Sequence, residues 1–226
     1  MGADRLDEVL DAAYDCLTRY GVRRTTMDDI ASTMGVSRSA VYQYVRNKDD
    51  AFRRLAERQH TQALGRARRA AAEDSPLAER VRGVLAAKLD LVLRLAGDSP
   101  HSAELLDAKA RLFGEICHTF TADLRRLLTD LFTEAGTPAA VEPAEAADIC
   151  IALVVGLESV SDARQLFTPA TDALLAGLLG SPISVCTSRV TTSGGAPPGS
   201  ATHPARPATL CPPQAPPRSS PPPPHP

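Results

Sequence analysis

Apolar residues along the first 180 positions return every three or four residues, and no segment alternates apolar with polar. That period is the helical one, so the pattern predicts an all-α chain. Residues 5–20 put Leu6, Val9, Leu10, Ala13 and Leu17 on one stripe. Met27, Ile30, Ala31 and Met34 give a short helix one buried side; Ala40, Val41 and Tyr44 or Val45 do the same for the next. A third helix starts at Lys48 and runs to about residue 72; its Ala-rich, polar far half, residues 62–71, suits a bridge between two halves of a protein. Further helices are predicted over residues 76–96, 102–109, 110–135, 144–164 and 169–179, with breaks over 97–100 and 136–143.

Local chemistry marks the helix ends between residues 25 and 50. Thr26 is an N-cap with Asp29 three residues on, Ser37 caps the next helix, and Asn47 caps a third with Asp50 in the capping-box position. Gly35 supplies the positive φ that ends the first of these helices. Arg38, Ser39, Tyr42 and Gln43 are left facing outward.

These are the parts of a helix-turn-helix, whose second helix enters the major groove with its first residues at base edges. Phosphates favour helix N-termini, where free amides and the positive end of the dipole point outward. Thr26, Ser37 and Lys48 stand at such ends, and Tyr42 and Tyr44 offer hydroxyls to phosphate or an apolar edge to a thymine methyl.

The segment resembles the DNA-binding region of the TetR family of bacterial repressors. Gly21, Thr25, Thr26, Ile30, Ala31, Gly35, Val36, Ser37, Tyr42, Asn47, Lys48 and Phe52 match its pattern over about the first quarter of the chain. Val45 stands where an aromatic usually closes the recognition helix, and Arg46 where Pro or Gly is frequent. The resemblance implies an all-α protein with a three-helix DNA-binding domain over residues 1–47 and a helical ligand-binding and dimerisation domain over residues 48–180. It implies double-stranded operator DNA and a small-molecule effector as partners. Arg38, Ser39 and Gln43 are expected at base edges. Thr25, Thr26, Ser37, Tyr42, Tyr44 and Lys48 are expected around phosphates.

The last two helices are apolar nearly all round, so they require cover on more than one side. Ile149, Leu153, Gly156 and Val160 form one stripe, with Leu157 beside it, and Leu174 and Leu178 behave similarly in the final helix. One side can pack on its own subunit and the other on a second copy. A four-helix interface in a homodimer is what the resemblance implies, and two-fold symmetry suits two half-sites about 34–36 Å apart.

Composition changes the picture mainly at the C-terminus. Residues 181–226 hold 14 of the 19 prolines and no acidic residue, so this tail is expected to be disordered. The first 60 residues carry ten basic and ten acidic side chains, so attraction to DNA depends on local placement rather than bulk charge. Five irregularly spaced cysteines make no zinc or disulfide framework. The N-terminus is charged from Asp4 on, and the longest apolar run, residues 149–157, is too short for a bilayer. A cytoplasmic location without membrane contact is expected.

Arg111, Glu115 and His118 share a helix side and either line a ligand pocket or form a salt-bridged surface stripe. His101 either gates such a pocket or is an ordinary loop histidine. Glu158, one turn from Asp162, either anchors a polar ligand or pairs across the dimer. No catalytic constellation, cofactor motif or metal set stands out, so no cofactor or metal is expected. The chain reads as a ligand-released homodimeric repressor. The alternative is a helical ligand-binding protein or small enzyme that keeps the helix pair for structure.

Overall fold

The computed structural model describes residues 2–97, 113–136 and 141–180. Every regular element among them is helical: α1 (Gly2–Arg24), α2 (Met27–Met34), α3 (Arg38–Val41), α4 (Lys48–Ala71), α5 (Leu77–Gly97), α6 (Gly114–Ala135), α7 (Pro143–Leu157) and α8 (Ala163–Leu179). The predicted helix over residues 102–109, the 137–140 part of the predicted loop and the Pro-rich tail lie outside the described residues.

Buried apolar side chains fall into two clusters. The first joins Val9, Ala13 and Leu17 of α1, Ile30 of α2, Val41 and Val45 around α3, and Phe52 and Leu55 of α4. Phe52 and Ile30 are essentially fully buried, and each such side chain contributes roughly 1.5–3 kcal/mol of transfer free energy. The second cluster unites the far half of α4 with α5, α6, α7 and α8. α4 thus carries both: Phe52 and Leu55 enter the first, and Ala63, Ala67 and Ala71, spaced one turn apart, enter the second.

Small side chains set the α4–α5 distance. A Cβ placed on Gly83 of α5 would lie 2.6 Å from the Cβ of Ala70. Arg58 pins α4 to α1 through Asp7 at 3.1 Å and Asp11 at 2.6 Å.

Two expectations are corrected. The break between the last helices falls at residues 158–162, not before Pro169, which lies inside α8. The Asp162 backbone carbonyl accepts from the Gln165 and Leu166 amides there, opening the final helix without a side-chain cap. The proline removes only one backbone donor and does not end α8. α1 also extends past Tyr20, with Gly21 at φ 79° making a kink within it.

Candidate nucleic-acid interface

Local sequence builds the α2–α3 turn. The Thr26 hydroxyl accepts from the Asp29 amide at 3.2 Å, and the Asp29 carboxylate accepts from the Thr26 amide at 2.8 Å, a reciprocal capping box. Gly35 ends α2 at φ 64°, ψ 31°, which a side chain would resist. Ser37 caps α3, accepting from the Ala40 amide at 3.3 Å and sharing a 2.9 Å hydrogen bond with the Ser39 hydroxyl.

α3 is one regular turn followed by looser turns to Tyr44. Its roll is fixed by Val41 and Val45, both sunk into the first core. Arg38, Ser39, Tyr42 and Gln43 consequently face solvent. Arg38 Nη1 donates to Asp28 at 3.0 Å, Nη2 donates to the Tyr42 hydroxyl at 2.9 Å, and the guanidinium carbon lies 5.4 Å from the Tyr42 ring centre. The Tyr42 hydroxyl first, and Asp28 next, hold the Arg38 guanidinium still more firmly in its charged form. Tyr44 is half-buried against the first core.

Two residues expected at phosphates have internal work. Thr25 is corrected: it is 1% exposed, and its hydroxyl donates to the Gly21 carbonyl at 2.7 Å, with the Cys16 carbonyl also within reach at 3.1 Å. Its side chain ties the end of α1 and is not available to a duplex. Lys48 is half-buried and donates from Nζ to the Val22 and Arg23 carbonyls at 3.0 and 3.3 Å.

Elsewhere the candidates separate. Glu115 lines a cleft of about 320 Å³ between α4 and α6, together with Arg53, His60, Leu64 and Phe120. His118 is exposed and is not among the residues lining that cleft. Glu158 pairs with the buried Lys88 of α5. His101 and Arg111 lie outside the described residues.

On α7 and the turn after it, Ile149, Gly156 and Val160 are exposed and Leu153 is half-buried, as is Leu174 on α8. Leu157 and Leu178 are corrected: 7% and 6% exposed, they belong to the chain's own second core and cannot line a free face. Val155 and Leu166, 47% and 43% exposed, add to the apolar surface.

Sequence reading missed the Asp28–Arg38 pair, the Arg58 clamp and the contact between His60 and Cys117. Only the one-turn spacing of Asp7 and Asp11 hinted that a cation would meet α1.

A small capped helix pair braced by a third and a fourth helix, with an outward Arg, Ser, Tyr and Gln set, defines a helix-turn-helix protein. Residues 9–55 match the family model of bacterial regulatory proteins, tetR family. The chain is 31% identical over 122 residues to the HTH-type transcriptional regulator TtgR of Pseudomonas putida, covering 52% of each protein. It spans about half the length of the curated relatives it matches. SmeT, the repressor of the Stenotrophomonas maltophilia multidrug efflux pump SmeDEF, shares the fold at TM-score 0.60 and 22% identity over 77% of this chain and 90% of that one. A transcriptional regulator from Cytophaga hutchinsonii does so at TM-score 0.66 and 14% identity, over 77% and 98%. Over residues 9–55 this chain is thus similar to the tetR family of bacterial regulatory proteins. The curated relatives are named as transcriptional regulators.

Proposed function

We propose that the protein is a cytoplasmic homodimeric repressor that binds operator DNA through α3 and the N-termini of α2 and α4, and is released by a small molecule. The observation that carries this reading is the outward set Arg38, Ser39, Tyr42 and Gln43 on a helix whose roll is locked by Val41 and Val45. Arg38, Ser39 and Gln43 read base edges in this proposal. Thr26, Ser37, Tyr42, Tyr44 and Lys48 serve phosphates. We assign residues 1–47, completed by the start of α4, to DNA binding and residues 48–180 to ligand binding and dimerisation.

Dimerisation is assigned to the exposed Ile149, Val155, Val160 and Leu166, which together favour a second apolar partner. Gly156 on the same helix has no atom near its Cβ direction, leaving room for close approach. The effector is assigned to the second domain, with the α4–α6 cleft and Glu115 as its nearest described opening. Release then follows from the effector's differential affinity for two separations of the recognition helices.

Selection from a random duplex library, with sedimentation of the recovered complex, tests the reading. Enrichment of an inverted repeat bound by two chains is the expected result. Recovery of no sequence preference would overturn it.

A further inference from the structure

We propose that Cys117 and His60 form a thiol–imidazole pair that captures small α,β-unsaturated carbonyl compounds entering the cleft between α4 and α6. The regulatory consequence drawn below rests on the DNA-binding reading above; the site itself does not.

The proton positions follow from the partners. His60 Nδ1 lies 2.7 Å from the Ala56 carbonyl oxygen. A carbonyl only accepts, so Nδ1 carries hydrogen and Nε2 is left as the basic nitrogen. Nε2 faces Cys117 Sγ at 3.5 Å. Phe120 meets the imidazole edge-to-face, with ring centres 5.2 Å apart, and fixes its plane. A nucleophile with a base in reach, the base itself oriented by a third group, is the arrangement that activates a thiol.

Access and surroundings agree. Cys117 is half-buried, whereas Cys16 and Cys150 are buried. Burial pushes the Cys16 thiol up and the Cys150 thiol up to about 12, so both stay protonated and unreactive. His60 is itself a wall of the 320 Å³ cleft, and Cys117, not itself among the lining residues, follows the lining Ile116 and meets His60. Leu64, Ile116 and Phe120 offer a short hydrocarbon an apolar wall there, and Thr61 and Thr119 offer hydroxyls to a carbonyl.

The addition balances without any oxidant or leaving group. Nε2 takes the thiol proton. The sulfur pair forms a C–S bond to the β-carbon, and the alkene pair moves toward the carbonyl as an enolate. The imidazolium then returns the proton to the α-carbon, leaving a thioether and a neutral imidazole. The adduct lies between α4 and α6, beside Phe120. His60 sits on the same continuous helix as Lys48, about 18 Å away at 1.5 Å per residue. Phe52 and Leu55 of that helix are core residues of the DNA-binding unit, so displacing α4 at His60 re-aims α3.

The test uses the full chain with N-ethylmaleimide and with methyl vinyl ketone, read by peptide mass spectrometry as a function of pH. Cys117 should label ahead of Cys16 and Cys150. His60→Phe and His60→Gln should each slow it about tenfold near neutral pH, the gap closing at alkaline pH, where a thiol ionises without a base. Labelling no faster than at Cys150, or unchanged in both His60 variants, overturns the site. On a selected duplex, the adduct should weaken binding at least about tenfold, while Cys117→Ser binds normally and ignores the reagent. A labelled chain that binds as tightly as before overturns the regulatory half. Labelling that fails in a chain that still binds duplex overturns the thiol site alone. A chain that labels at Cys117 yet binds no duplex overturns the DNA-binding reading, and the regulatory half with it.

Discussion

Asp28 of α2 holds Arg38 of α3, carboxylate to guanidinium at 3.0 Å, on the face assigned to DNA. Both side chains are more than half exposed, so solvent screens the pair and a base or phosphate can displace it. Its effect is positional: with Tyr42 on the other edge, the guanidinium is already aimed. Asp28→Asn removes one negative charge from the DNA face and one restraint on Arg38. Affinity for random duplex should rise a few-fold while the ratio of selected to random affinity falls, as Arg38→Ala should also make it fall. Anisotropy titrations on both duplexes decide it; an unchanged ratio would deny Asp28 any part in discrimination.

Lys48 has two jobs that a single substitution separates. Its ammonium satisfies the Val22 and Arg23 carbonyls near the end of α1, and it stands in the first turn of α4, where a phosphate would sit. Lys48→Ala should weaken binding to all sequences alike and lower the salt slope by about one unit. A lower melting temperature with an unaltered salt slope would make Lys48 a cap and nothing more.

What the sequence disclosed was whatever closes within a few residues. Thr26 with Asp29, Asn47 with Asp50, and Gly35 are such cases, because a cap or a positive φ is satisfied inside one turn. The outward set on α3 was legible for the same reason: Val41 and Val45, one turn apart, fix what remains outside. Contacts between distant elements were not. His60 meets Cys117 across 57 positions and Arg58 meets Asp7 across 51, and no local spacing records such a meeting. Leu157 and Leu178 were misplaced because a helix apolar on several sides does not say which side its own subunit covers. Pro169 misled because a proline removes one donor without requiring that a helix stop there.

Gly83 tests the α4–α5 contact. Its backbone is helical, so alanine carries no conformational penalty there and would gain helix propensity on an open surface. Its Cβ would instead lie 2.6 Å from that of Ala70. Gly83→Ala should therefore destabilise the fold by about 1–3 kcal/mol in urea unfolding. Ala70→Gly should recover most of that loss in the double variant, a coupling that a purely local effect at residue 83 would not show.

Asp50 gives the DNA-binding unit an acid limb. Burial works to raise its pKa, but the Arg46 amide at 2.9 Å and Arg54 at 3.2 Å outweigh burial, and the net shift is downward. A lowered folded-state pKa gives stability that is fully present above the unfolded value of about 3.9 and lost as pH falls through the lower folded value. At neutral pH, Asp50→Asn should cost about 1 kcal/mol, and the difference from wild type should shrink steadily below about pH 4. A gap that stays constant down to about pH 2 would show that the carboxylate charge is irrelevant.

The Lys88–Glu158 pair fastens α5 to the end of α7, with the Lys88 side chain 7% exposed and that of Glu158 14% exposed. Desolvating both groups offsets much of their attraction, so the pair adds little net stability, yet breaking it from one side strands a charge. Glu158→Leu leaves the Lys88 ammonium buried without this carboxylate and should cost about 3–5 kcal/mol. Lys88→Met with Glu158→Leu replaces both groups by apolar ones and should recover most of that loss. The two substitutions should thus be strongly non-additive in urea unfolding. Since Glu158 directly follows α7 and lies two residues from exposed Val160, the single variant should also loosen the proposed self-association on that face, and the double variant should restore it. Equal and additive losses would mean that the ammonium finds water readily, and that the turn after α7 is held by packing alone.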